Sequence, residues 1–259
     1  MTIHVGLCTI SAKGRSVEDV LEVAGDVGYD GVEIWGQDHI GNGSELICER
    51  IAQAASKQRL EIASYGSYLR CGSDEFDDEL EHELTVTERL GTDTIRVWAG
   101  SQEYGDHDAD HWDRAVADLE RLTERADDYD IRITVEKHDN TLTHTLEGAR
   151  RLIEAIDDER CRLNYQPGFS IPADELEREA RALAPLSNQL HLQTTRERTE
   201  RARAPLAEAY YDLEAILEPF FGGGFDGYAN VEFVTDERPY QEAIEADLET
   251  VRSIVSAGR

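Results

Sequence analysis

Alternation between short β-type runs and longer helical segments is the feature that most constrains the fold of this chain. Eight apolar, β-branched runs are predicted as strands, and a segment of helical period follows each one. Strictly alternating units favour a parallel sheet, and eight of them in 259 residues favour a closed barrel. We therefore predict an α/β fold, a single (β/α)8 TIM barrel spanning residues 1–259.

The predicted strands are near residues 3–9, 31–36, 60–66, 93–99, 130–137, 161–166, 187–194 and 227–234. The predicted helices are near residues 16–28, 43–58, 75–91, 109–129, 145–156, 172–184, 207–221 and 240–257. An open doubly wound sheet would usually carry a Gly-rich nucleotide turn before a helix. The GGGF segment at 222–225 precedes a strand instead, so it does not match that motif.

Local signals mark several helix ends. Ser16 is a predicted N-cap, with Asp19 three residues later. Gly28 and Gly91 suit helix C-termini, where a left-handed residue is common. Pro172 is predicted to begin a helix, because its missing N–H group is not needed there.

The charge balance is strongly acidic, with 55 Asp and Glu against 26 Lys and Arg and a net charge of -29. The acids are spread over many segments, which indicates a soluble protein adapted to a high-salt cytosol. An acidic surface for a basic partner is the alternative. The same charge disfavours nucleic acid and anionic membranes as partners.

Compartment signals point to the cytoplasm. No apolar run is long enough to span a bilayer, and the first strand begins almost at the initiator Met, so no secretory signal is expected. The cysteines form no C-x-x-C pair and are predicted to be reduced thiols. They are Cys8, Cys48, Cys71 and Cys161.

Polar residues recur near the ends of most predicted strands, in the phase that points away from the helices. Glu136 in ITVEKH and Glu232 in YANVEFV are the most informative. Catalytic groups of such barrels lie at the C-terminal strand ends, so these residues are expected to converge. A structural polar cluster is the alternative. The other members are Glu33, Arg96, Trp98, His138, Asn164, Gln166, His191 and Gln193.

Two carboxylates, an imidazole and an amide oxygen can form a five- or six-coordinate site for a divalent cation. Oxygen-rich sites suit Mg and Mn, and one histidine also allows Co or Zn. Such an ion would polarise a substrate carbonyl. The two glutamates, Glu136 and Glu232, could then take and return a proton at the adjacent carbon.

The phrases VGLCTIS, GYDGVEIWG, VEKHDNTLTHT, LHLQ and GYANVEFV resemble the xylose-isomerase-like superfamily of sugar isomerases and epimerases. The resemblance covers nearly the whole chain. It implies a (β/α)8 barrel with Mn, Mg, Co or Zn held by Glu136, His191 and Glu232, and with Glu136 and Glu232 as catalytic residues. Strand six departs from the pattern, because Gln166 stands where metal-dependent members carry Asp, and Phe169 where they often carry His. Gln166 can still ligate but adds no charge, so a weaker metal site is expected.

Six further side chains are predicted to bind substrate. Glu33 could bind a hydroxyl or form an ion pair with Arg96, and Trp98 could wall a sugar pocket or fill the barrel. The basic run TRERTERARAP could clamp a phosphate or carboxylate or form a solvated loop. The six are Glu33, Arg96, Trp98, His138, Arg196 and Arg203.

These observations favour a metal-assisted isomerase or epimerase acting through an enediolate on a small sugar, sugar phosphate or hydroxy-carbonyl compound. A dehydratase of the inosose type and a metal-free sugar-binding barrel are the alternatives. An abasic-site endonuclease is disfavoured, because LQTTRER lacks the histidine-rich phrases that a three-zinc cluster needs. A homodimer or homotetramer is expected, since relatives often pair.

Overall fold

The eight strands close into one parallel barrel in chain order, as predicted. The computed structural model describes residues 3–221 and 225–257, so most of the GGGF segment lies outside the described residues. Each strand pairs in parallel with its sequence neighbours, and β1 pairs with β8 to complete the ring. The strands are β1 His4–Cys8, β2 Gly31–Trp35, β3 Glu61–Cys71, β4 Thr94–Ala99, β5 Arg132–Glu136, β6 Cys161–Tyr165, β7 Ser187–Leu192 and β8 Tyr228–Val231.

Eight helices cover the outside of the barrel. They are α1 Val17–Val27, α2 Glu45–Lys57, α3 Phe76–Leu90, α4 Ala109–Asp127, α5 Leu146–Ile156, α6 Ala173–Leu183, α7 Leu213–Leu217 and α8 Tyr240–Ala257. Among the described residues, no helix is both long enough and apolar enough to cross a membrane.

The predicted helix ends are confirmed with one shift. The Ser16 side chain accepts a hydrogen bond from the Asp19 N–H, which caps α1. Gly28 and Gly91 end α1 and α3 with φ of 99° and 75°, a conformation that glycine adopts without steric cost. Pro172 is the extended residue before α6 rather than its first helical residue.

Several elements differ in length from their predictions, and β8 for example ends at Val231 rather than near 234. Strand β3 runs five residues beyond the predicted end at 66, because Arg70 and Cys71 pair with β4 after a shift in register. The helix predicted at 207–221 is reduced to the five residues of α7. Asp212 begins α7 by accepting hydrogen bonds from two backbone N–H groups, and a 3-10 turn containing Pro219 follows.

The apolar core lies between the strands and the helices. On β5, Ile133 and Val135 are fully buried on the helix side, while Thr134 and Glu136 are buried in the other phase, inside the barrel. Lys137 has the phase opposite to Glu136 and pairs instead with Glu179 of α6, at 3.1 Å. The alternation therefore directs polar side chains into the barrel, where the candidate site lies.

Candidate functional site at the C-terminal mouth of the barrel

Glu136, His191 and Glu232 meet at the C-terminal ends of β5, β7 and β8. One ligand atom from each lies within 4.8 Å of the other two, and all three residues are buried. His191 Nδ1 is 3.7 Å from Glu136 Oε1 and 3.7 Å from Glu232 Oε1. His191 of β7 pairs with Asn230 of β8. Glu232 lies two residues beyond Asn230, so its side chain is on the same face of the strand and points toward the histidine.

Both oxygens of Glu136 are engaged. Its Oε2 accepts a hydrogen bond from Trp98 Nε1–H and lies 3.1 Å from Arg96 Nη1. Its Oε1 accepts a hydrogen bond of 3.2 Å from the Gln166 side-chain amide. Arg96 is itself fixed, since it donates to the Ser67 carbonyl at 2.9 Å. Burial alone would raise the pKa of Glu136, but Arg96 and then His191 lower it, so Glu136 is held as a carboxylate.

Glu33 orients His191 from the opposite side of the ring. Glu33 Oε2 lies 3.1 Å from His191 Nε2 and accepts a hydrogen bond of 2.9 Å from Ser64. Its Oε1 lies 3.7 Å from the Cys8 sulfur and 3.9 Å from Arg96 Nη2. Burial alone would lower the pKa of His191, but Cys8, Glu33 and Glu232 raise it, which favours the charged ring when no cation is bound. Displacement of the Nδ1 proton by a cation, with Nε2–H donating to Glu33, would leave a lone pair directed toward the other two glutamates.

The centre of the cluster retains unsatisfied polar atoms. His191 Nδ1 and Glu232 Oε2 are buried and have no hydrogen-bond partner among the described residues. Burial raises the pKa of Glu232, and Glu136 reinforces that effect while His191 opposes it. Two carboxylates and a directed imidazole nitrogen are a donor set that fits a divalent cation.

Gln166 faces the cluster through its amide nitrogen. Its side-chain oxygen accepts a hydrogen bond of 3.0 Å from Gln193 and is therefore turned away from Glu136. The sequence placed Gln166 at a ligand position, and in this arrangement its oxygen has another partner. The donor atoms that converge are thus those of Glu136, His191 and Glu232.

The remaining predicted residues lie at two distances from the centre. The His138 ring stacks on the Trp98 ring, with 4.9 Å between the ring centres, and so lies at the side of the barrel mouth. Arg196 lies farther out and is paired with carboxylates of Glu208 at 2.7 Å and Glu237 at 2.6 Å. Arg203 lines a cavity of about 170 Å³ together with His138 and Gln166.

Sequence reasoning missed Ser64 and the position of Cys8. Both are set by strand register, because Cys8 and Ser64 are the β1 and β3 partners of Glu33. Burial raises the pKa of the Cys8 thiol, and Glu33 adds to that effect, so the thiol stays neutral. A register assignment for the first three strands would have been the signal that identifies them.

Comparisons with known proteins agree with this architecture. The family described as Xylose isomerase-like TIM barrel matches residues 21–254. A 3-dehydroshikimate dehydratase of Bacillus anthracis is 27% identical over 167 residues, which are 61% of this chain and 59% of that relative. The chain thus spans less than two thirds of that curated relative.

Solved structures show the same fold at low identity. The crystal structure of a probable 3-DHS dehydratase involved in petrobactin synthesis in Bacillus anthracis has a TM-score of 0.79 and 20% identity, covering 96% of this chain and 99% of the other. An L-ribulose 3-epimerase has a TM-score of 0.76 and 17% identity, covering 99% and 96%. A barrel protein of Mycobacterium smegmatis in complex with magnesium has a TM-score of 0.75 and 14% identity, covering 99% and 98%. Because the family model covers nearly the whole barrel, this chain belongs to the xylose isomerase-like TIM barrels.

Proposed function

We propose that this protein is an isomerase or epimerase that moves a proton at the carbon beside the carbonyl of a small hydroxylated compound. The observation that carries the proposal is the buried group of Glu136, His191 and Glu232, in which two polar atoms have no hydrogen-bond partner in the described part of the chain. Unpaired buried polar atoms are costly and occur elsewhere in the protein, as at Asp247 Oδ2, but here two of them lie within one group of three possible metal ligands.

The two glutamates differ in their freedom to carry a proton. Glu136 is fixed by Arg96, Trp98 and Gln166, whereas Glu232 Oε2 has no partner among the described residues. We therefore assign proton abstraction to Glu232. The substrate C–H bond breaks and the proton passes to Glu232 Oε2, while the C–H electron pair forms a C=C bond and the carbonyl π pair moves to the oxygen. Return of the proton to the former carbonyl carbon, with the hydroxyl proton of the adjacent carbon passing to the former carbonyl oxygen, gives the isomer.

Epimerisation needs a proton at the opposite face of the same carbon. Glu136 is the second carboxylate of the cluster, and it could make that transfer by releasing one of the hydrogen bonds that fix it. A divalent cation would be held by Glu136, His191 and Glu232, and when bound it would polarise the substrate carbonyl. Glu33 supports this arrangement by keeping His191 Nδ1 directed toward the site.

A dehydratase is the second candidate function. It is favoured because both the curated relative and one of the structural neighbours are 3-dehydroshikimate dehydratases, the second described as probable. The first step would be the same proton abstraction by Glu232. The outcome would differ, because the hydroxyl group on the next carbon would then leave as water with the proton that Glu232 took.

Hydrogen exchange tests the shared step without knowledge of the product. The protein is incubated with MnCl2 in D2O and with a panel of ketoses, inososes and 3-dehydroshikimate, and deuterium in the substrate is followed by NMR. We expect exchange with at least one compound. Glu232→Gln should reduce its rate about 100-fold or more, because a general base typically contributes that much.

Glu242→Gln is the matched control, since Glu242 is an exposed acid at the start of α8, ten residues beyond Glu232. It should exchange at the parental rate. An isomeric or epimeric product supports the first proposal, and a product that has lost water supports the second. Unchanged exchange in Glu232→Gln would refute the assignment of the base.

A further inference from the structure

Arg203 is held in the mouth of the barrel by aromatic rings rather than by an acid. Its guanidinium carbon lies 4.6 Å from the centre of the Phe169 ring and 5.1 Å from that of Phe233. Within residues 3–221 and 225–257 it forms no ion pair with a carboxylate. In a chain of net charge -29, a half-buried arginine without an acidic partner needs a physical reason.

The cavity beside Arg203 connects it with the candidate active site. Its volume is about 170 Å³, and its lining includes Arg203, Phe169, Gln193 and Gln166. Gln166 is in turn hydrogen-bonded to Glu136 of the central cluster. Burial lowers the pKa of Arg203, and the charge of Glu232 raises it again in part. The guanidinium therefore interacts electrostatically with the central cluster. A ligand in the cavity would therefore contact Arg203 at one end and approach the reacting residues at the other.

The charged residues around the cavity limit the negative charge that a bound ligand can carry. Lys137 also lines it, but its ammonium is already paired with Glu179 at 3.1 Å. Asp139 at the exposed rim adds a negative charge. One guanidinium without an acidic partner, placed between two rings, suits a planar monoanion. Its two parallel N–H donors match the two oxygens of a carboxylate. A phosphate dianion would need further donors.

We propose that Arg203 forms a carboxylate subsite, so that the substrate is a hydroxylated carbonyl compound that also bears a carboxylate. This inference rests on the proposed function in one respect, namely that the molecule bound in the cavity is the substrate. The subsite itself is a property of the cavity and can be tested without turnover.

Binding of paired probes by calorimetry tests the charge preference. Shikimate carries a ring, hydroxyls and a carboxylate, and its methyl ester carries the same ring without the charge. In EDTA and molar KCl we expect shikimate to bind about tenfold tighter than the ester, because the ester lacks a charge-assisted hydrogen bond. Equal affinities would overturn the proposal. Ribose 5-phosphate is the third probe, and tighter Arg203-dependent binding of it would overturn the choice of carboxylate over phosphate.

Variants assign the preference to one side chain. Arg203→Gln should abolish the tenfold difference, and Arg203→Lys should retain the charge but lose part of the preference with the fork geometry. Arg201→Gln removes the same charge from an exposed position of the same loop and should bind as the parent does. An Arg203→Gln protein that folds, judged by its melting temperature, and still prefers shikimate would refute the assignment.

The outcomes separate this inference from the proposed function. Arg203-dependent binding of shikimate with no hydrogen exchange in any compound would leave the subsite standing and remove the proposed reaction. Hydrogen exchange confined to neutral ketoses, with no charge preference in binding, would support the proposed reaction and remove the carboxylate subsite.

Discussion

Gln166 is the residue at which this chain departs most clearly from the pattern expected for metal-dependent relatives. It stands where the family resemblance predicts a third carboxylate, and it donates to Glu136 at 3.2 Å while accepting from Gln193 at 3.0 Å. An amide can make both contacts at once, whereas a carboxylate there would repel Glu136. We therefore expect Gln166 to stabilise the protein without a cation, at the expense of one negative ligand.

The variant Gln166→Asp should shift this balance in favour of the metal. We expect its affinity for Mn to rise about tenfold by calorimetry, because an anionic ligand replaces a neutral one. In EDTA its free energy of unfolding should fall by on the order of 1–2 kcal/mol, since the hydrogen bond to Glu136 is lost and two acids face each other. Gln241→Asp is the control, since Gln241 is exposed in the first turn of α8, where an acid is well tolerated. A variant equally stable in EDTA, with unchanged Mn affinity, would contradict this reading of Gln166.

The sequence could predict which side chains converge but not what each one contacts. Period-two alternation and barrel closure were enough to bring Glu136, His191 and Glu232 together. They could not show that Gln166 turns its oxygen toward Gln193, because the orientation of an amide depends on neighbours from another strand. Whether these residues bind a metal or a substrate stays a prediction.

At the scale of elements, prediction failed where tertiary context overrides local pattern. Strand β3 continues through SYLRC because β4 offers partners to Arg70 and Cys71, and a segment containing Gly66 and two serines gave no such signal. Helix α7 is short because Asp212 caps a new start and Pro219 follows soon after. The ends of α1 were predictable because Ser16 and Gly28 form their capping hydrogen bonds with residues only three or four positions away, Asp19 and Ala24.

Helix α8 carries a buried acid that makes stability depend on pH. Asp247 accepts a hydrogen bond of 2.8 Å from the Leu206 N–H through Oδ1, and its Oδ2 is buried without a partner among the described residues. Burial raises the pKa of Asp247 to about 6, although the Leu206 N–H and Arg238 oppose the shift. The folded state thus favours the protonated acid, and this contribution to stability is lost as pH rises through 6.

The variant Asp247→Asn should remove that dependence. Between pH 4 and pH 7.5, we expect the unfolding free energy of the variant to gain about 2–3 kcal/mol relative to the parent, because the amide has no charge to bury. Denaturant unfolding at several pH values measures the difference. Glu245→Gln on the exposed face of α8 is the control and should show no such gain. A difference that stays constant with pH would contradict the assignment to Asp247.

Charge acts on the whole molecule as self-repulsion. Arginines of the helical shell pair with acids, as in Arg125 with Glu81 at 2.8 Å and Arg151 with Glu147 at 2.8 Å. With 55 acidic residues against 26 Lys and Arg, more than half of the carboxylates would lack a basic partner even if every cation were paired. Exposed pairs contribute little individually, so repulsion among the remaining acids dominates the surface.

Salt should therefore stabilise this protein. Raising KCl from 0.1 M to 2 M shortens the screening length from about 10 Å to about 3 Å or less. We expect the melting temperature to rise by about 5–10 °C, which corresponds to a few kcal/mol for a domain of this size. The triple variant Glu49→Lys, Glu124→Lys and Glu245→Lys changes exposed acids to bases and should melt higher than the parent at 0.1 M KCl. The difference should narrow at 2 M, because screening weakens the repulsion that the variant relieves. Parallel salt curves for the two proteins would show that the stabilisation by KCl does not come from surface charge.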